Sequence, residues 1–318
     1  MAASYEYAVG SIKAKEKSLL TPQDLEVLMA SESEQALIGH LRDKGYQGDS
    51  VADMIANRDR ETWEYVGSLV EDMSLFAPLL YQNDLHNVKA VIKGVLTNRK
   101  VDGLLLSPAT INADEIRQAV ESQRFDRLPA WIAPAAEEAF RIMAQENDAR
   151  LGDAILDRAA MAAMLNAANG LGRPVQEYFR MQVFFNDIKV ALRAARTGTT
   201  AAYLEAALCP VEGLDLPRLR TAALAGSEEL IAYLKTLEVY GCRTAIEAFV
   251  KSPSAFERTV DDMLIAWMRL SRFSVEGVDT LYGYVLARQA ESKVVHIIAS
   301  GVRTGAGDLR ERVRHLHG

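Results

Sequence analysis

Asn83-Asp84-Leu85-His86-Asn87-Val88-Lys89-Ala90-Val91-Ile92-Lys93-Gly94-Val95-Leu96 sets apolar residues three and four positions apart. Leu85, Val88, Ile92 and Val95 form one stripe, the pattern of an amphipathic helix. His86, Asn87, Lys89 and Lys93 fall largely outside it. The same spacing of three and four recurs along most of the chain, and Ala, Leu, Glu, Arg and Lys, the strong helix formers, dominate it. Thr21-Pro22-Gln23-Asp24 offers an N-cap followed by Pro in the first turn, and Ser252-Pro253 and Ser107-Pro108 are similar stops and starts. Val101-Asp102-Gly103-Leu104-Leu105-Leu106 is the one candidate extended piece, too short to found a sheet. The fold class is therefore all-α.

The quoted stretch has copies. Asn87-Val88-Lys89-Ala90-Val91-Ile92-Lys93 is echoed by Asp187-Ile188-Lys189-Val190-Ala191-Leu192-Arg193, and more faintly by Glu291-Ser292-Lys293-Val294-Val295-His296-Ile297. The lysines lie 100 and 104 residues apart, each with Asn, Asp or Glu two positions earlier. A second element recurs upstream. Leu25–Ala30 running into Ser33–Leu41 resembles Leu219–Ala225 running into Ser227–Leu234 with one residue deleted, while the middle copy around Ile111–Ile116 is weaker. A period of this length exceeds that of the common helix-pair repeats, about 33–47 residues. Each unit reads as a small helical domain, over residues 1–105, 106–205 and 206–318. Three of them side by side would make a pseudo-threefold body with a central hollow.

Composition narrows the function classes. Apolar residues make up 49% of the 318, enough for a large core, and the formal net charge is −7. Duplex-binding proteins carry a basic surplus, so no nucleic-acid partner is expected. No apolar run approaches the roughly 18 residues that span a bilayer, and Met1–Glu6 does not open like a signal peptide. The chain is expected to stay cytoplasmic, with no direct membrane insertion. Cys209 and Cys242 lack metal-site or CxxC spacing and read as buried, reduced thiols.

Chemistry-bearing motifs are thin. No GxxxxGK[ST] loop is present. Gly301, Gly305 and Gly307 follow a helix, the order of a C-cap, whereas a dinucleotide loop runs strand, glycines, helix. Asn169-Gly170-Leu171-Gly172-Arg173-Pro174 reads as a loop with Pro174 opening the next helix. Asp261-Asp262-Met263-Leu264-Ile265 begins like the DDxxD metal motif of helical terpene synthases, but Ile265 stands where the third carboxylate belongs. His40, His86 and His296 are scattered, and His315 and His317 fall in a tail expected to fray. No catalytic, cofactor or metal site is expected. The lysine and the polar residue two positions before it point to different helix faces, which favours a structural role over a ligand site.

Tyr5-Glu6-Tyr7-Ala8-Val9-Gly10-Ser11-Ile12-Lys13-Ala14-Lys15-Glu16, the Asn83–Gly94 segment and Ala290–Ile298 together resemble the C-subunit family of bacterial and archaeal V-type ATPases, whose eukaryotic counterpart is the d subunit. The family often carries Arg where this chain has Gly10 or Ser11, and Asn or Arg where it has Val294 and Val295. The resemblance implies three similar helical domains arranged as a funnel. It implies a non-catalytic central-stalk component, joining the D and F subunits of the axle to the proteolipid rotor ring for ATP-linked proton or sodium transport. Such a component would be peripheral, held at the cytoplasmic face of the membrane by its partners. Partner contacts, or the repeat signature itself, are expected at Asp84, His86, Asn87, Lys89, Asp187, Lys189, Glu291 and Lys293. The alternative is a helical adaptor of another complex.

Overall fold

The computed structural model describes residues 2–269, 278–306, 309–310 and 312–316, with side chains from residue 6 onward. Gly307 and His317 lie outside the described residues. Among the described residues there is no strand. The chain runs through α1 (Ala2–Lys15), α2 (Pro22–Met29), α3 (Glu34–Asp43) and α4 (Val51–Gly67) to the long α5 (Ala77–Thr97). It continues with α6 (Ala113–Glu121), α7 (Ala133–Gln145), α8 (Ala149–Ala168) and the long α9 (Arg173–Thr197). The last stretch holds α10 (Ala201–Ala207), α11 (Leu216–Ala225), α12 (Ser227–Leu234), α13 (Cys242–Lys251), α14 (Pro253–Arg269) and the long α15 (Asp279–Thr304). The lysine-bearing helices α5, α9 and α15 are 21, 25 and 26 residues long. Both copies of the recurring upstream element fold as consecutive helices, α2–α3 and α11–α12.

The helix ends follow local chemistry. Thr21 Oγ1 accepts the Asp24 N–H at 3.2 Å, and Asp24 Oδ2 accepts the Thr21 N–H at 2.9 Å, a complete capping box ahead of Pro22. Ser252 Oγ accepts the Ala255 N–H at 3.0 Å at the start of α14. Gly305 ends α15 with φ of +60°, a left-handed conformation that glycine adopts without strain. Ser107-Pro108 opens no helix: α6 begins at Ala113, capped by the Asn112 side chain. Thr21→Ala removes one half of the capping box and is expected to lower stability by about 1 kcal/mol. Urea unfolding of the two proteins measures it, and an unchanged midpoint would mean that solvent satisfies the Asp24 N–H equally well.

The chain divides into two compact units. One holds residues 1–73, 172–178 and 240–318, the other 74–171 and 179–239. In the first, Leu25 and Leu28 of α2, Leu37, Ile38 and Leu41 of α3, and Val51, Met54 and Ile55 of α4 pack against Val294, Val295 and Ile298 of α15. Val294 and Val295 are fully buried, so the apolar side chains at these positions are core residues of this chain. In the second, Leu85, Val88, Val91 and Ile92 of α5 pack against Ile116 and Val120 of α6, Ala136, Ala139 and Met143 of α7, and Leu156 of α8. The inner stripe of α5 thus includes Val91, while Val95, expected to belong to it, is 36% exposed in the last turn. Each of these long helices is covered by a trio of shorter ones. For α5 the trio follows it in sequence, and for α15 the trio stands at the start of the chain. The Val101–Leu106 segment forms no strand: Asp102–Leu104 is a 3₁₀ turn, and both Leu106 backbone groups bond to the Asn87 side chain.

Candidate interaction site

The recurring polar residue two positions before each lysine is buried in all three copies: Asn87 is 1% exposed, Asp187 0% and Glu291 2%. The expectation for Asn87, outside the apolar stripe, is corrected on this point. Burying a polar side chain is costly unless its hydrogen bonds are met, and each of the three directs its side chain to a backbone segment ahead of a helix. Asn87 Oδ1 accepts the Leu106 N–H at 2.7 Å, and its Nδ2 donates to the Leu106 carbonyl at 3.0 Å. Asp187 Oδ2 accepts the Cys209 N–H at 3.0 Å. Glu291 Oε1 accepts the Leu20 N–H, immediately before the Thr21 cap of α2. The three clamps differ in charge. Asn87 is neutral, whereas Glu291 is bound by Arg288, whose Nη1 donates to Oε2 at 2.6 Å. Arg288 is 1% exposed and also donates to the Ser18 carbonyl (3.3 Å), to Ser18 Oγ and to Tyr284 Oη (3.2 Å). Burial pushes the Glu291 carboxyl up, against the opposing pull of Arg288 and of the Leu20 N–H.

Asp84 is also fully buried. Its carboxylate accepts the N–H groups of Thr110 and Ile111, both at 2.9 Å, and the Thr110 hydroxyl at 2.5 Å. Burial raises this carboxyl too, and the three donors partly offset the effect. Of the eight signature residues, Asp84, Asn87, Asp187 and Glu291 are therefore buried within this chain. His86 is exposed, with Nε2 2.8 Å from the Leu104 carbonyl. Lys89 pairs with Asp157 of α8 at 2.6 Å, and Lys93 with Asp153 at 2.7 Å. Lys293 is exposed and pairs with Asp261 of α14 at 2.5 Å, while Lys189 is half-buried on α9. The polar residue faces inward and the lysine outward, as i and i+2 positions on a helix require. Arg288 and Asp157 were not singled out from sequence. Arg288 had a local sign, an i, i+3 spacing to Glu291 beside the apolar run Tyr282–Ala287; Asp157 had none.

The remaining candidate motifs have structural partners. Asp261 binds Lys293 and also Arg314, at 2.9 Å. Asp262 Oδ1 accepts the His315 N–H at 2.7 Å, so the two aspartates of the DDxxD-like start tie down the C-terminal tail. Among the described residues no group of His, Cys, Asp or Glu is placed to hold a metal ion. Cys209 and Cys242 are buried thiols outside any disulfide, and burial pushes them up to about 12 and about 11.

Known proteins resemble this chain over most of its length. The profile of the ATP synthase (C/AC39) subunit family matches residues 8–312. The chain is 25% identical over 339 residues to the C subunit of the A-type ATP synthase of Desulfurococcus sp. (strain SY), covering 99% of this chain and 90% of that one. It is 25% identical over 228 residues to the C subunit of the V-type ATP synthase of Thermus thermophilus, covering 70% and 68%. It is 27% identical over 257 residues to the C subunit of the A-type ATP synthase of Halorubrum lacusprofundi, covering 73% and 70%. With the family profile spanning nearly the whole all-helical chain, this protein belongs to the ATP synthase (C/AC39) subunit family, the C subunits of A-type and V-type ATP synthases.

Proposed function

We propose that this chain is the non-catalytic coupling component of an A/V-type ATPase, joining the central axle of D and F subunits to the proteolipid rotor ring in the membrane. It passes torque between them for ATP-linked transport of protons or sodium. The observation that carries this reading is the family match over residues 8–312. Among the described residues no helix is long and apolar enough to cross a membrane, which suits attachment at the cytoplasmic face through protein partners. The backbone clamp repeated on α5, α9 and α15 supports a threefold internal repetition, and each clamp ties one of the proposed segments 1–105, 106–205 and 206–318 to the next, the last of them back to the first. A closely packed helical body resists deformation, which a torque coupler needs.

In this reading His86, Lys89, Lys189 and Lys293 are the signature residues left to meet the axle. Reversing Lys89, Lys189 and Lys293 together to Glu is expected to weaken assembly with the D and F subunits by about tenfold or more. The substitutions also break the Lys89–Asp157 and Lys293–Asp261 pairs. A second variant with Asp157→Lys, Asp261→Lys and Arg314→Glu added restores those pairs, and the Asp261–Arg314 pair, in reverse. Assembly still lost in that variant supports a partner contact; assembly regained, or never weakened, removes the lysines from the interface. Co-purification with the D and F subunits and the proteolipid ring tests the reading as a whole. Recovery with unrelated partners alone would point to an adaptor of another complex.

A further inference from the structure

The three clamps pose one electrostatic problem with two visible solutions, a neutral amide at Asn87 and a paired carboxylate at Glu291. Asp187 has neither. It is 0% exposed, Oδ2 accepts the Cys209 N–H, and Oδ1 is buried with no hydrogen-bond partner among the described residues. The nearby groups do not supply a counter-ion in contact. Arg158 of α8 directs Nη1 to the Glu205 carbonyl at 3.2 Å, and the Asn186 amide, which also acts on the carboxyl, donates to Met161 Sδ at 3.3 Å. The Cys209 thiol lies 3.9 Å from the Pro210 carbonyl. These are the charged, polar or titratable groups that act on Asp187 from α8, from α9 and from the loop after α10. A lone buried carboxylate is far more costly than a buried acid.

We propose that Asp187 works in the folded protein as a neutral carboxylic acid that accepts the Cys209 N–H as Asn87 accepts the Leu106 N–H, and that its need to keep a proton weakens the segment it clamps as the pH rises. The proton belongs on Oδ1, the oxygen left without a donor. Consistent with this geometry, burial pushes the carboxyl up to about 8, opposed by the Cys209 N–H, Arg158 and Asn186. The folded state thus keeps a proton that the unfolded chain, with a carboxyl near the usual value of about 3.9, gives up. Raising the pH therefore favours unfolding across that window, and the effect levels off above it.

The test compares the full chain with Asp187→Asn by urea unfolding from pH 5 to pH 9, followed through Trp131. The ratio of the two unfolding constants isolates Asp187, because the other carboxyls titrate alike in both. The wild-type constant is expected to rise relative to the variant by up to about tenfold per pH unit below pH 8, then stay flat. A ratio independent of pH overturns the proposal. So does failure of Asp187→Asn to fold, since the amide should replace the acid without loss. Infrared spectroscopy of the folded protein at pH 7 gives a second readout. A buried carboxylic-acid band that Asp187→Asn removes supports the proposal, and a wild-type spectrum with no such band overturns it.

Discussion

Arg288→Met is expected to destabilise the protein by about 3–5 kcal/mol, because it leaves Glu291 buried without its counter-charge. Both members of the pair are at most 2% exposed, and the Nη1–Oε2 distance is 2.6 Å. The variant also strips the Ser18 carbonyl and hydroxyl and the Tyr284 hydroxyl of a donor. With Glu291 forced to protonate or to hydrate, its bond to the Leu20 N–H loosens, and with it the start of α2. Urea unfolding measures the loss. Trp63 and Trp267 report on the unit that contains the pair and Trp131 on the other, so the first two should move at lower urea. Arg288→Met combined with Glu291→Leu removes both charges and is expected to recover part of the loss. A loss below about 1 kcal/mol for Arg288→Met would mean that the pair behaves as a solvated surface bridge.

Asp84→Ala is expected to cost about 3 kcal/mol, since it orphans the N–H groups of Thr110 and Ile111 and the Thr110 hydroxyl at one stroke. Asp84→Asn should fall between this and wild type, because an amide keeps one acceptor and adds a donor where only acceptors are needed. Hydrogen exchange at Thr110 and Ile111 reads the clamp directly, and both amides should lose protection in the alanine variant. This experiment also separates structure from recognition at a residue carried in the family-like Asn83–Gly94 segment. Weakened assembly with an unchanged unfolding midpoint and unchanged exchange would contradict the structural role.

The amino-acid sequence by itself determined whatever depends on near neighbours. The spacing of three and four made the helices legible, since a helix face is set by residues within two turns of each other. Thr21 with Asp24, Ser252, Gly305 and Pro174 marked helix ends because capping is chemistry over three or four residues. The lysines at 89, 189 and 293 exposed the repetition, as three outward positions on three long helices. What only the tertiary structure decided is which polar residues of that signature turn inward. Asn87, Asp187 and Glu291 are residue types that usually stay in water, and their burial rests on backbone groups 19, 22 and 271 residues away. No local pattern encodes a hydrogen bond across 271 residues. Such a bond forms only once α15 has docked on α2–α4, and that docking follows from apolar faces finding one another in space.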